Sequence, residues 1–181
     1  RDQAPPGVSV LAGTDGFHAA VRDALRTSTC DRVVVSLGGA APLDLVALRE
    51  RPLPEAGVVW CGPHAPGEGL VSLDTTAALP PVPGEELVFD RARLLALGFP
   101  ERHGALAPWA ALLALARAGE ARALPGLTLA ARQPVRPVLA VTTTLLAVRV
   151  LTELGALTAA HRVELLDLAL REISTAPGGF L

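Results

Sequence analysis

Two short apolar runs, each followed by glycine, constrain the fold of this chain more than any other feature. They are DRVVVSLGG at 31–39 and AGVVWCG at 56–62. Runs that are apolar throughout, without alternating polar residues, are typical of strands buried on both faces. The glycines predict that each strand ends in a tight turn. The chain must therefore supply elements that cover both faces of a sheet.

Segments with helical spacing alternate with further candidate strands. Apolar residues recur every three to four positions from Phe17 to Arg26, Pro42 is placed to begin a helix, and Pro108 to begin another that ends at Gly119. The remaining elements are predicted as strands at 8–13, 86–90 and 127–135, and helices at 43–49 and 91–97, the last terminated by Gly98. The proline- and glycine-rich segment at 63–84 is predicted as a loop or a pair of weak edge strands, with 70–74 as its best strand candidate. This alternation predicts an α/β domain with a mainly parallel sheet flanked by helices.

From Val138 the pattern changes to two helices. The first runs to Leu154 and is apolar nearly all round, whereas the second is capped by Thr158. The second helix carries one apolar face, made of Val163, Leu166, Leu170 and Ile173. We therefore divide the chain into a domain at 1–136 and a helical hairpin at 137–181. We expect the hairpin to bind a protein partner or a second copy, the alternative being that it folds back over the sheet.

Composition narrows the classes of partner. The net charge of −2, with 19% charged residues, gives no reason to expect nucleic acid or an anionic membrane. The longest uncharged apolar stretch, 137–148, is shorter than the roughly 20 residues that a membrane-spanning helix needs. Cys30 and Cys61 lack metal-ligand spacing, which favours a reduced, cytoplasmic setting. All 16 basic residues are arginine, which is typical of a GC-rich bacterium.

Two long stretches resemble the family 2 glycosyltransferases of GT-A fold. GFHAAVRDALRTSTCDRVVVSLGGAAPLDLVAL at 16–48 is similar to a family segment in which an Ala-Arg-Asn helix leads into a strand ending in Leu-Asp-x-Asp, followed by a Pro-Asp-x-Leu helix. LVFDRARLLALGFPERHGALAPWAALLALARAG at 87–119 resembles a later segment. There a strand and a Gly-Phe-Asp-Glu turn lead to Glu-Asp-Trp-Asp and a helix with an inward arginine. The resemblance spans 8–134 and implies a partial GT-A-like fold.

The acids of both family motifs are missing from this sequence. In the family, Asp-x-Asp holds the divalent cation that bridges the sugar-nucleotide diphosphate, and a carboxylate of Glu-Asp-Trp-Asp deprotonates the acceptor hydroxyl. The matching positions here are Gly38, Gly39 and Ala40 for the first motif, Ala107, Pro108, Trp109 and Ala110 for the second, and Ala114 for the arginine. The family's first strand and its base-gripping turn would precede residue 8. We expect that they were either removed upstream or lost.

Other polar residues offer weak substitutes. Asp74 and Asp90 are interpreted as caps of the elements that follow them, and Asp44 as an acid in the first turn of its helix. His18 and His161 are expected at the surface, and His64 beside Cys61 would make only half of a metal site. No catalytic, cofactor-binding or metal-binding residue is predicted.

One cluster falls where the family positions its acceptor. Glu101, Arg102 and His103, together with Trp109, are predicted to form a vestigial acceptor pocket. His103 has the side chain of a general base at neutral pH, but an exposed polar turn between two helices accounts for the same residues. Trp109 itself is expected to be mostly buried.

Three functions remain open from the sequence. The favoured one is a glycosyltransferase-like domain that is not catalytic and serves as a binding or structural subunit. The second is an active nucleotide-sugar glycosyltransferase whose nucleotide-binding segment lies outside the given chain. The third is a small-molecule sensor that uses the vestigial sugar pocket.

Overall fold

The computed structural model describes residues 17–36, 50–62, 65–78, 86–98, 101–125, 127 and 141–175. Its strands are β1 (Arg32–Ser36), β2 (Val58–Trp60), β3 (Gly69–Leu70), β4 (Glu86–Asp90) and β5 (Ala121–Ala123). Its helices are α1 (Phe17–Thr27), α2 (Leu73–Ala78), α3 (Arg91–Leu97), α4 (Ala107–Arg117), α5 (Val141–Glu153) and α6 (Ala159–Thr175), with a 3₁₀ segment at Glu101–Leu106. The predicted α/β class is confirmed. The elements predicted at 8–13 and 43–49, and at 127–135 apart from Leu127, lie outside the described residues.

The sheet is mixed, so the expectation of a mainly parallel sheet is wrong for the described strands. Their order is β1-β4-β2-β5-β3, in which β4 runs antiparallel to both β1 and β2. Strand β3 is also antiparallel to its neighbour β5. Among the described strands, only β2 and β5 form a parallel pair. Burial on both faces makes a strand apolar throughout whichever way its neighbours run, so the apolar runs did not reveal strand direction.

Two local predictions fail near the sheet edge. Of the strand candidate at 70–74 only Leu70 lies in a strand, β3, and the chain enters α2 at Leu73. Ser72 caps that helix, since its Oγ accepts a hydrogen bond from the Thr75 N–H at 3.1 Å, so Asp74 is not the cap. The short strand β5 was not predicted, because an alanine-arginine-alanine segment lacks the β-branched residues that mark strands.

Side chains alternate between the two faces of the sheet and join two apolar clusters. Val58, Trp60, Leu87 and Phe89 point into the larger cluster, which also receives residues from α1, α3, α4 and α5. Val59 and Val88 point into a smaller cluster with Cys61, Leu124 and Leu127. Both faces of the central strands are therefore covered, as the apolar runs required.

The helix α3 links strand β4 to the 3₁₀ segment and α4. The Asp90 carboxylate accepts a hydrogen bond from the Arg93 N–H at 2.9 Å, which confirms the predicted N-cap. Gly98, at φ 71°, ends the helix in a backbone conformation that disfavours other residues. The 3₁₀ segment and α4 follow, and α4 is buried along most of its length.

The C-terminal hairpin packs against this region. Ala147, Val150 and Leu151 of α5 are fully buried and belong to the same apolar cluster as the sheet and α4. Arg117, at the end of α4, donates a hydrogen bond to the Leu154 carbonyl just after α5. The predicted cap of α6 is confirmed, because the Thr158 Oγ1 accepts from the His161 N–H at 3.2 Å.

Candidate functional site

The segment that resembles the family's base-bearing motif begins α4, and it is buried. Ala107 is fully buried, and Pro108 and Ala110 are also buried. Proline fits this first turn because the N–H that it lacks has no partner within the helix. A general base must reach the substrate's hydroxyl proton, directly or through one water. In this structure the three positions contribute small apolar side chains to the core and present no polar group to a substrate.

Trp109 lies between these positions and is 1% exposed, which confirms that it is mostly buried. Its indole N–H donates a hydrogen bond of 3.2 Å to the Thr76 carbonyl in α2. The ring thus packs in the larger cluster with its one polar atom satisfied. Ala114, at the position of the family's arginine, is half-buried.

The 3₁₀ segment before α4 brings Arg102 and His103 to the end of α5. Arg102 forms an ion pair with Glu153, with 3.0 Å between Nη2 and Oε2. The His103 Nε2 lies 3.5 Å from the same carboxylate oxygen and 3.3 Å from the Arg102 Nε, which donates to it. Arg149 completes the group, since its Nε donates to the other Glu153 oxygen at 2.9 Å. We call these four residues the 102–153 cluster.

His103 is buried, not exposed in a polar turn as its sequence context suggested. Its side chain is 3% exposed, and its Nδ1 has no hydrogen-bond partner among the described residues. Burial lowers the pKa of His103 below its usual 6.5, against the opposing effect of the Glu153 carboxylate, and Arg102 and Arg149 lower it further. The imidazole is therefore neutral at pH 7.

Glu153 supplies the negative charge of the cluster. A hydrogen bond from Arg149, together with the positive charges of Arg102 and Arg149, holds the pKa of its carboxyl below 4.5 despite partial burial. The ionised carboxylate bridges the two arginines across the junction between the 3₁₀ segment and α5. These contacts engage its oxygens in holding two elements together.

The predicted acceptor pocket is brought together only in part. Arg102 and His103 are neighbours in the 102–153 cluster, whereas the Trp109 N–H is directed to Thr76. The side chain of Glu101 lies outside the described set, as do Gly38 to Ala40, Asp44 and His64. The acceptor pocket of Glu101, Arg102, His103 and Trp109 stays a prediction.

Three further candidate residues are His161 and Cys61, which are buried, and Cys30, which is exposed. His161 is buried, so its predicted surface position is wrong; its Nδ1 lies 2.9 Å from the Ala156 carbonyl in the turn between α5 and α6. Cys61 is also buried, and burial with the nearby Glu86 carboxylate raises its thiol pKa to about 12, which makes it a poor nucleophile. Cys30 is exposed, with its Sγ 2.7 Å from the Ser28 Oγ.

Two acidic residues with structural contacts, Glu153 and the buried Glu86, were missed in the sequence. Glu153 follows Arg149 by four positions, a spacing that indicates an ion pair on one helix but says nothing of a third partner 50 residues earlier. Glu86 begins β4 and is buried. Glutamate side chains are mostly exposed in proteins, so the sequence gives no sign of this burial. Within the described residues no group of three or more histidines, cysteines or acids is placed to hold a metal ion.

Comparison with protein-family models, with curated proteins and with solved structures gives no match to this chain. None of the helices in the described part of the chain is long and apolar enough to cross a membrane.

Proposed function

We propose that this chain is a degenerate, partial GT-A-like glycosyltransferase domain that is not catalytic and acts as a binding or structural subunit in the cytoplasm. The main support is the burial of Ala107, Pro108 and Ala110 at the start of α4. Where the resemblance would place a base in contact with an acceptor, the chain has side chains that fill the core. The resemblance itself still rests on the quoted sequence stretches.

The surroundings of the other candidates support the same function. His103 is neutral but buried, and its exposed neighbours Arg102 and Arg149 form ion pairs with Glu153. Trp109 packs in the interior and offers no exposed face for stacking on a sugar.

The test is isothermal titration calorimetry of the full chain with UDP- and GDP-sugars, with and without Mn²⁺. We expect no metal-dependent binding, because glycine and alanine stand where the family's cation ligands would be. An intact family 2 glycosyltransferase, titrated under the same conditions, is the positive control. Metal-dependent binding in the micromolar range would contradict the proposed function and favour an active transferase. Metal-independent binding of a sugar would favour the sensor function.

A further inference from the structure

In the 102–153 cluster, one ring nitrogen of His103 lies between two neighbours that require opposite protonation states. The Arg102 Nε donates a hydrogen bond to the His103 Nε2 at 3.3 Å, so this nitrogen carries no proton there. The Glu153 Oε2 lies 3.5 Å from the same nitrogen and accepts a hydrogen bond from it only when it does carry a proton. The protonation state of His103 therefore determines which of the two neighbours the ring binds.

The neutral ring carries its single proton on Nδ1, because Nε2 is the acceptor of the Arg102 bond. The Nδ1 atom is buried and has no hydrogen-bond partner among the described residues. Protonation of His103 leaves this atom unchanged, since the added proton goes to Nε2. The change in hydrogen bonding is therefore confined to the side of the ring that faces Arg102 and Glu153.

A proton on Nε2 sets two hydrogen-bond donors against each other. The Arg102 guanidinium is positively charged and has no acceptor atom, so at 3.3 Å it repels a protonated ring. Arg102 is the residue that can move away, because its side chain is 68% exposed whereas that of His103 is buried. Glu153 attracts the new charge and is held in place by Arg149, which donates to its other oxygen at 2.9 Å.

The other charges around the ring offer the added proton no second acceptor among the described side chains. Arg102 on the same segment and Arg149 and Glu153 on α5 are the charged groups that act on His103. The buried part of α4 that follows, 107–116, contains no ionisable side chain. Burial and the two arginines lower the pKa of His103, so a change of partner takes place below pH 6.5.

We propose that the 102–153 cluster is an acid-operated switch, in which a protonated His103 exchanges Arg102 for Glu153 and the Arg102 guanidinium turns out into solvent. At neutral pH Arg102 joins the 3₁₀ segment to α5 through its ion pair with Glu153 at 3.0 Å. In acid His103 makes this connection instead. A positive charge is then released at the surface near Arg149, which is 60% exposed. The switch does not depend on the proposed function as a binding subunit.

Nitrogen-15 NMR of the full chain, labelled at histidine and arginine, tests the exchange from pH 7.5 down through the titration of His103. At pH 7.5 the ring should carry a proton on Nδ1 and none on Nε2. As the ring titrates, the Arg102 Nε–H should lose protection from solvent exchange about tenfold relative to free arginine at the same pH, as expected for one hydrogen bond. The Arg149 Nε–H should stay protected and is the internal control, because it donates to the other Glu153 oxygen.

Three variants separate the switch from a general effect of acid. His103→Gln is the matched control, since its amide oxygen can accept from Arg102 but does not titrate, and Arg102 should then stay protected over the same pH range. Arg102→Gln should raise the pKa of His103, because it removes a neighbouring positive charge. Glu153→Gln should lower that pKa, because it removes the charge that stabilises the protonated ring.

A proton on the His103 Nε2 at pH 7.5 would overturn the switch, because Arg102 could not then donate to that nitrogen. Titration of the ring without loss of protection at Arg102 would also overturn it, as would an equal loss in His103→Gln or unfolding of the wild type before the ring titrates. None of these outcomes bears on nucleotide-sugar binding, so the calorimetric test of the proposed function stands apart.

Discussion

The imidazole of His103 is held away from water among Arg102, Arg149 and Glu153, and this environment sets how the fold should respond to acid. Among the described residues its buried Nδ1 has no hydrogen-bond partner. The Nε2 atom, which would take the added proton, accepts a hydrogen bond from the Arg102 Nε. Protonation would therefore break that hydrogen bond and place a charge on a buried ring. Glu153 attracts that charge, but two arginines already surround the carboxylate. The balance favours the neutral ring.

We predict that His103 makes the protein less stable as the pH is lowered below 6.5. Its folded pKa lies below the ordinary 6.5, so in this range the unfolded chain binds more protons than the folded one. The free energy of unfolding therefore falls as the pH is lowered and is fully retained above 6.5. Urea unfolding at pH 5.5 and 7.5 measures the difference, and His103→Gln should reduce it. An equal pH dependence in wild type and variant would show that the ring titrates freely.

Among the elements, α4 is the one on which the fold most depends. It is buried on nearly all sides, between the sheet, α2 and the 3₁₀ segment. Trp109 fixes its first turn through the larger apolar cluster and through the hydrogen bond to Thr76. Because most of this helix lies in the core, its buried side chains contribute to stability rather than to a surface.

We predict that Trp109→Ala lowers the free energy of unfolding by about 3–5 kcal/mol, because it leaves a large cavity. Trp109→Phe should cost less, since it keeps most of the ring volume and loses the indole hydrogen bond. Chemical denaturation followed by circular dichroism measures both. A cost below about 1 kcal/mol for the alanine variant would mean that the ring does not pack as the structure describes.

Helix bounds could be predicted from the sequence, whereas strand order and long-range contacts could not. The helices α1, α3, α4 and α6 were predicted close to their observed bounds, because caps, glycine stops and apolar periodicity are local signals. Strand order is not local: β4 enters between β1 and β2, and no spacing in the sequence indicates that insertion. The burial of His103 is likewise not a local property, because it depends on α5, which begins 38 residues later in the chain. The stretches quoted for the family resemblance contain neither Arg149 nor Glu153.

At the scale of the whole molecule, the C-terminal hairpin and the sheet share one interior. The sequence division at residue 136 separates two patterns, yet Val150, Leu151 and Leu165 join the cluster that contains Trp60 and Trp109. Two polar contacts also join the parts before and after residue 136. One is the hydrogen bond from Arg117 to the Leu154 carbonyl, and the other is the 102–153 cluster. Within the described residues, α5 is thus part of the body, whereas Val163, Leu166 and Leu170 on the outer face of α6 are exposed.

We predict that the hairpin and the sheet unfold together. Both tryptophans lie before residue 136, so tryptophan fluorescence reports the body, whereas far-ultraviolet circular dichroism includes the long helices α5 and α6. A shared core should make the two denaturation curves coincide. Leu151→Ala, at a fully buried position, should shift both curves equally and cost about 2–5 kcal/mol. Thr152→Ala, at the exposed neighbour on the same helix, should cost much less. A circular dichroism transition that precedes the fluorescence transition in the wild type would show that the hairpin is a separate unit, as the sequence division implied.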